Sequence, residues 1–257
     1  VGPIREGRMH RGGTALSLTM IPFQFPGIPG VGCAFSMRAF GSVSLSSADA
    51  SSIERRAAIP SLLGVGAFAE VHQVHGVRTL FEPEAQNPAA APSEQADGMA
   101  TSRPGLALMI KTADCQPILV AHDSGRFVMA VHSGWRGNRQ DYPYSAICVF
   151  CDRYGLDPRH LWAVRGPSLG PSASEFVNFD SEWGPEFLQW YDRERRTMDL
   201  WSLARHQLER AGLPSGHILG IDLCTFDNAD FFFSYRHARR FGSEDGRQGS
   251  FIWIRTV

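Results

Sequence analysis

Residues 106–137 read LALMIKTADCQPILVAHDSGRFVMAVHSGWRG, and this stretch decides the fold class. Three short apolar runs, Leu106 to Lys111, Ile118 to His122 and Phe127 to His132, are separated by tight connections and have strand length. Asp123-Ser124-Gly125 is a good hairpin turn, so the second and third runs are expected to pair antiparallel.

Downstream, Asp141 to Tyr154 has helical spacing through Tyr144, Ile147, Val149 and Phe150, and Gly155 stands where a helix would end. Leu161 to Arg165 reads as a strand running into Gly166-Pro167-Ser168-Leu169-Gly170. Trp183 to Tyr191 and Leu200 to Gly212 read as helices, the second closed by Gly212 and Pro214. Strands at Ile218 to Asp222 and Phe251 to Arg255 flank the block Phe231 to Arg240. Upstream, residues 31–45 read as strand, turn, strand. Ser51 to Leu63 is expected to be a helix, with Ser51 or Ser52 as cap and Glu54 in its first turn. Phe68 to His75 reads as a strand carrying His75 near its end. Pro83 to Asp97, rich in Ala, Pro, Glu and Gln, reads as a solvated loop. Strands and helices interleave without a βαβ rhythm, which predicts an α+β fold with mixed sheets.

The 257 residues suffice for one large domain, expected over 20–257 and catalytic, after a tail at 1–19, with Met9 or Met20 as the native start. A formal net charge of -1 gives no electrostatic case for nucleic acid or an anionic membrane as partner. The apolar runs fall far short of the roughly 20 residues that span a bilayer. Arg5, Arg8 and Arg11 precede a segment broken by Pro22, Pro26 and Pro29, a poor secretory signal. Five widely spaced cysteines, an odd number, point to a reducing compartment and a cytoplasmic enzyme.

The chemistry centres on Cys115, with His75 before it and His132 after it. One thiol and two imidazoles suit a soft to borderline metal such as Zn²⁺, and three protein ligands leave a fourth position for water or substrate. Asp114 is placed to orient a ligand imidazole as an acceptor. Gly134 and Gly137 bracket Trp135-Arg136, and the planar fork of Arg136 suits phosphate or carboxylate, or else a stack on Trp135. His72 and His75 form an H-x-x-H pair, but residues three apart on a strand face opposite ways, so one of them serves the metal, and Gly76, which permits close approach, favours His75. Cys148-x-x-Cys151 lies in a helical segment with no second pair, so it reads as structural. The run Gly166 to Gly170 lacks the ending of a nucleotide loop, though its amides would form an anion nest. Arg236 and Arg247 add cations among glycines and aromatics, and Phe231 to Phe233 reads as core.

Taken together, QVHG at 73–76, ADG at 96–98, TADCQP at 112–117 and VHSGWRG at 131–137 resemble the laccase-domain, YfiH-like family of polyphenol oxidases and purine nucleoside phosphorylases. RGPSLG at 165–170, DLCT at 222–225, FFSYRH at 232–237 and GRQGS at 246–250 also match, so the resemblance spans about residues 20–257. It implies zinc ligands at His75, Cys115 and His132 and an active-site cation at Arg38. An Asn-Arg pair of the family falls on Glu54-Arg55 or on Arg55-Arg56, making Arg55 a further substrate residue in the first register. The chain departs from the family in lacking that asparagine, in Ala39-Phe40-Gly41 after Arg38, and in Ser172-Ala173-Ser174 where cysteines are frequent.

The resemblance further implies an α/β/β/α sandwich and phosphorolysis of adenosine, inosine, guanosine and methylthioadenosine, with deamination of adenosine. Phosphate would then be held by cations, for which Arg38, Arg136, Arg236 and Arg247 are candidates. Two other activities follow from relatives: copper-dependent phenol oxidation, and hydrolysis of peptidoglycan precursors with Cys115 as nucleophile and His132 as base. The expected partners are a purine nucleoside and phosphate, and the expected state is a monomer or weak homo-oligomer.

Overall fold

A computed structural model describes residues 19–45 and 51–256. The tail expected over 1–19, except Thr19, and the start expected at Met9 lie outside the described residues.

The chain forms β1 (Met20–Phe23), β2 (Val31–Ser36), α1 (Ser52–Leu63), β3 (Ala67–Ala69), β4 (Thr79–Phe81), β5 (Gly98–Thr101), β6 (Leu106–Thr112), β7 (Gln116–His122) and β8 (Val128–Ser133). It continues through α2 (Trp135–Arg139), α3 (Tyr142–Tyr154), β9 (Leu161–Arg165), α4 (Phe179–Glu182), β10 (Tyr191–Asp192) and β11 (Thr197–Met198). It closes with α5 (Leu200–Arg210), β12 (Ile218–Gly220), α6 (Tyr235–Phe241) and β13 (Gln248–Ile254). One sheet runs β1-β2-β13-β6-β3 and the other β12-β9-β7-β8-β5-β4; both are mixed.

Side-chain alternation on the strands builds the layers. Leu106, Leu108 and Ile110 of β6 point inward and meet Leu119 and Ala121 of β7 in the core between the sheets. Ala107 and Met109 point outward, under Ile59 and Leu63 of α1. On the far face Ile118 and Val120 pack against Ile147 and Phe150 of α3 and Ala204 and Leu208 of α5. The result is an α/β/β/α sandwich. No helix among the described residues is long and apolar enough to cross a membrane.

The hairpin read from Asp123-Ser124-Gly125 is present, with β7 and β8 antiparallel in the register Ile118↔Val131. The helix ending at Gly155 and the strand Leu161–Arg165 also form as expected. Three elements differ. Residues 31–45 give one strand followed by a single 3-10 turn at Arg38–Phe40. The segment expected to be a helix from Trp183 to Tyr191 is a 3-10 turn over Pro185–Trp190, entered through Gly184-Pro185.

The strand expected over Phe68 to His75 stops at Ala69. The chain next exchanges backbone hydrogen bonds with the loop before β5, His72 N–H to Glu94 O and Ala96 N–H to His72 O. It then curls, leaving His75 at φ 59°. Strand geometry therefore does not separate His72 from His75.

Beneath this segment the fully buried Arg56 of α1 pairs with the fully buried Glu70 and also donates to Val43 O and Pro88 O. A buried charge that loses its partner is costly. Glu70→Ala is expected to destabilise the fold by about 3–5 kcal/mol, read as a lower urea midpoint. Glu94→Ala, which breaks the exposed pair with Arg78, is expected to cost less than about 1 kcal/mol.

Candidate metal centre

The site lies where the chain passes between layers. β6 belongs to one sheet and β7 to the other, and Ala113-Asp114-Cys115 is the crossing. Cys115 thus stands at the ends of strands from both sheets. His132, near the end of β8, pairs with Pro117 beside it. His75 arrives from the curled segment after β3.

The ligand atoms of His75, Cys115 and His132 all lie within 4.8 Å of one another. Cys115 Sγ is 3.7 Å from His75 Nε2, and the two imidazoles meet edge to face at 4.9 Å. His132 and its surroundings are buried while His75 is exposed, so the cluster is closed behind and open in front.

Asp97 fixes two of the three donors. Its fully buried carboxylate accepts from the backbone N–H groups of Val74, His75 and Gly76 at 3.2, 2.9 and 2.6 Å. The same group meets His132 Nδ1 at 2.8 Å. That bond leaves His132 Nε2 facing the cluster, the arrangement metal-bound histidines need. The three amides hold His75 in the left-handed region, which a residue with a Cβ seldom adopts unaided. Asp114 is also left-handed, at φ 89°. Gly134 completes the cradle: a Cβ there would stand 2.9 Å from His75 Cδ2 and 3.1 Å from Cys115 Sγ.

The donors are electrically coupled. Burial pushes the Cys115 thiol up, but the charge of His132 and hydrogen bonds from His132 and His75 outweigh it, bringing the thiol down to about 6. Burial lowers His132, yet the Cys115 thiolate and Asp97 raise it to about 9. Burial would likewise raise Asp97, but the bonds from His132 and the Gly76 amide hold it below its ordinary value. A thiolate is therefore present at neutral pH, as a metal ligand requires. One sulfur and two ring nitrogens fit zinc or copper, and the open front fits a catalytic rather than a closed structural site.

The cluster opens into a cleft of about 830 Å³. One wall is apolar and aromatic, from Trp135, Phe176, Leu200 and Trp201. A polar wall carries Gln73, Lys111 and Arg247. Gln116, next to Cys115, is almost wholly buried, and its Oε1 has no hydrogen-bond partner among the described residues. Its amide nitrogen lies 3.5 Å from Ser168 Oγ, which accepts from Trp201 Nε1 at 2.8 Å.

The other residues singled out in the sequence are placed differently. Asp114 does not touch an imidazole; its carboxylate accepts from Thr225 Oγ1 and the Arg236 amide, each at 2.7 Å. It ties the crossing loop to α6, and Asp97 does the work expected of it. Arg38 does not line the cleft: it stacks over Phe233 and reaches Glu244. Arg55 is likewise absent from the lining and donates to Ser42 O, while Arg56 is the buried structural cation. Arg136 lines the cleft and stacks on Trp135 at 4.5 Å, the alternative to anion binding that the sequence offered. Arg236 and Arg247 also line it, the first bonded to the carbonyls of Ala173 and Glu175, the second to Asp245. Cys148 and Cys151 lie on α3 as free thiols, and Phe232 and Phe233 are core while Phe231 is exposed.

Asp97 is the residue that sequence reasoning missed. ADG at 96–98 was visible as a block, but it closes a loop rich in alanine and proline, and its partners lie 21 to 35 positions away.

Residues 36–255 match the family described as multi-copper polyphenol oxidoreductase laccase. A Shigella flexneri protein named purine nucleoside phosphorylase YfiH is 33% identical over 195 residues, 72% of each chain. A protein of Xylella fastidiosa (strain 9a5c) named purine nucleoside phosphorylase is 35% identical over 218 residues, 79% of this chain and 78% of that one. Among solved structures, YlmD from Geobacillus stearothermophilus superposes with a TM-score of 0.79 at 24% identity, covering 90% of this chain and 94% of its own. Hypothetical protein YfiH from Bacillus licheniformis gives 0.74 at 23%, covering 88% and 93%. These two establish a shared fold.

Asp97→Asn is expected to lower zinc affinity by roughly 10–100-fold, measured by competition with a chelator, whereas Asp114→Asn leaves it within a few-fold. In metal-free protein, alkylation of Cys115 by iodoacetamide is expected to rise with pH through a midpoint near 6, because the thiolate is the nucleophile. A midpoint near the ordinary thiol value would show that the His132 pairing is absent.

Proposed function

The chain belongs to the family described as multi-copper polyphenol oxidoreductase laccase, and from that membership we propose that it is a zinc-dependent purine nucleoside enzyme. It would phosphorolyse adenosine, inosine, guanosine and methylthioadenosine, and deaminate adenosine. The observation that carries this reading is the convergence of His75, Cys115 and His132, with His132 locked by Asp97, on a cleft with room for a nucleoside and phosphate. Relatives above 30% identity carry the name purine nucleoside phosphorylase, which supports the same choice. Free cysteines throughout are compatible with a reducing, cytoplasmic setting.

The residues divide the task by chemistry. His75, Cys115 and His132 would hold the zinc, which when bound supplies Lewis-acid polarisation beside the substrate. Trp135, Phe176 and Trp201 offer flat apolar faces for a purine. The free Oε1 of Gln116 stands ready for an amino group on the purine edge, and its amide can pair with the neighbouring ring nitrogen. In phosphorolysis a phosphate oxygen attacks C1′ of the ribose while the bond to the purine nitrogen breaks, and the purine leaves with a proton. Cations lining the cleft would hold the phosphate for that attack; Arg136, stacked on Trp135, and Arg247, which also reaches Asp245 and Gly246 O, are candidates among the arginines named above.

One observation favours a second reading. A thiol brought down to about 6 beside a raised imidazole is also what a cysteine nucleophile with a histidine base requires. Such a hydrolase would work without metal. Copper in place of zinc would suit the donor set as well, although the described residues contain a single such cluster and multi-copper oxidation needs several centres.

Zinc-loaded protein incubated with adenosine is expected to release adenine only when phosphate is present and inosine in either case, separated by chromatography. Cys115→Ala is expected to abolish bound zinc and both products together; full zinc occupancy in that variant would falsify the ligand assignment. Undiminished turnover after complete metal removal, blocked by iodoacetamide, would favour the hydrolase instead.

A further inference from the structure

The cleft is far more basic than the chain. Its lining holds Lys111, Arg136, Arg236, Arg239 and Arg247 against one carboxylate, Asp114, although the whole sequence carries a net charge of -1. Asp114 neutralises none of these side chains, since both its oxygens are taken by Thr225 and a backbone amide. Arg247 pairs with Asp245 and Lys111 with Glu70, which leaves Arg136, Arg236 and Arg239 without a carboxylate among the ion pairs of the described residues and the cleft with an excess of positive charge.

Lys111 differs from the arginines in how it is held. Its Nζ lies 2.9 Å from Glu70 Oε2, while the other oxygen of Glu70 is bound by Arg56. Arg56 and Glu70 are fully buried, and the Lys111 side chain is 18% exposed, at the cleft. Two cations thus share one carboxylate, which leaves this group with a net positive charge beside the cleft that Lys111 lines. An uncompensated charge away from bulk water is costly, and an anion in the cleft relieves it. The backbone is fixed as well: Gln73 donates to Lys111 O at 2.8 Å and accepts from its N–H at 2.9 Å. Gln73 is two residues from His75 and Lys111 four from Cys115, so the cation and the donor cluster are clamped to one another.

We propose that Lys111, braced from beneath by Glu70 and Arg56, is the principal cation of a phosphate subsite on the polar wall of the cleft. The inference rests on the phosphorolysis reading for the identity of the anion as free phosphate, and on the charge arrangement for its place. Neither Glu70 nor Arg56 would touch the ligand; they are positioning residues that hold the ammonium and its charge excess toward the cleft.

The test uses inorganic phosphate as probe and needs no turnover in its first arm. Phosphate is expected to raise the melting temperature of the zinc-loaded protein, and the rise is expected to vanish in Lys111→Gln and largely return in Lys111→Arg. In the second arm, Lys111→Gln is expected to raise KM for phosphate on the order of 10–100-fold while KM for adenosine changes by less than about twofold. An unchanged urea midpoint for Lys111→Gln excludes a general loss of fold. Stabilisation and phosphate KM both as in the unaltered protein would overturn the subsite and leave phosphorolysis standing. Phosphate binding that depends on Lys111 in a protein that never cleaves nucleosides would keep the subsite and remove phosphorolysis. Stabilisation by adenosine 5′-monophosphate but not by inorganic phosphate would overturn free phosphate as the ligand and assign an esterified phosphoryl group.

Discussion

A single buried carboxylate sets the geometry on which the rest of the site depends. Asp97 takes three successive backbone amides and one imidazole, so every lone pair it turns inward is answered. Each partner explains the others. The amides offset the cost of burying the charge, the charge fixes the tautomer of His132, and the curled backbone that supplies the amides delivers His75. The left-handed conformation at His75 is therefore a consequence of anion binding by the main chain and not a preference of the residue.

The sandwich provides the rigidity that this arrangement needs. Cys115 lies on the crossing from one sheet to the other, and His132 and Asp97 lie at the ends of adjacent paired strands. Donors at strand ends inherit the fixed spacing of the sheets, which lets a loop between them be short and strained without being loose. Asp114, the second left-handed residue, shows the same economy: its carboxylate holds Thr225 and α6 while its carbonyl accepts from Leu169. The crossing loop is thus pinned from both sides, and the cysteine next to it has one place to go.

Much of this was legible in the sequence. The runs at 106–133 are short, continuously apolar segments joined by a strong turn, so their strands and pairing follow from local chemistry, and residue type alone brings Cys115, His75 and His132 together. What was not legible depends on distance in the chain. Asp114 was assigned the carboxylate role because it neighbours Cys115 in sequence, whereas Asp97 earns it by position in space. His75 was placed on a strand because 68–75 is apolar and β-branched in part, but the pull of Asp97 on three amides outweighs that propensity. Arginines are the least readable of all, since a long flexible cation commits only where a partner waits. Arg56 found Glu70, Arg38 found Phe233 and Glu244, and Lys111, never singled out, meets the same Glu70 from the cleft.

The thiolate–imidazolium pair by itself does not separate a metal enzyme from a cysteine hydrolase, because both need it. The third donor does. A nucleophilic thiol requires one imidazole and free approach to sulfur, yet here a second imidazole stands 3.7 Å from Cys115 Sγ, held there by a strained backbone and a glycine that admits no Cβ. An arrangement that spends conformational strain to crowd the sulfur works against attack by it and in favour of shared coordination. The basic cleft adds a second distinction. Several cations around a pocket favour a substrate that carries phosphate or carboxylate over an uncharged one. Geometry thus favours shared coordination at sulfur, and charge an anionic ligand in the cleft beside it.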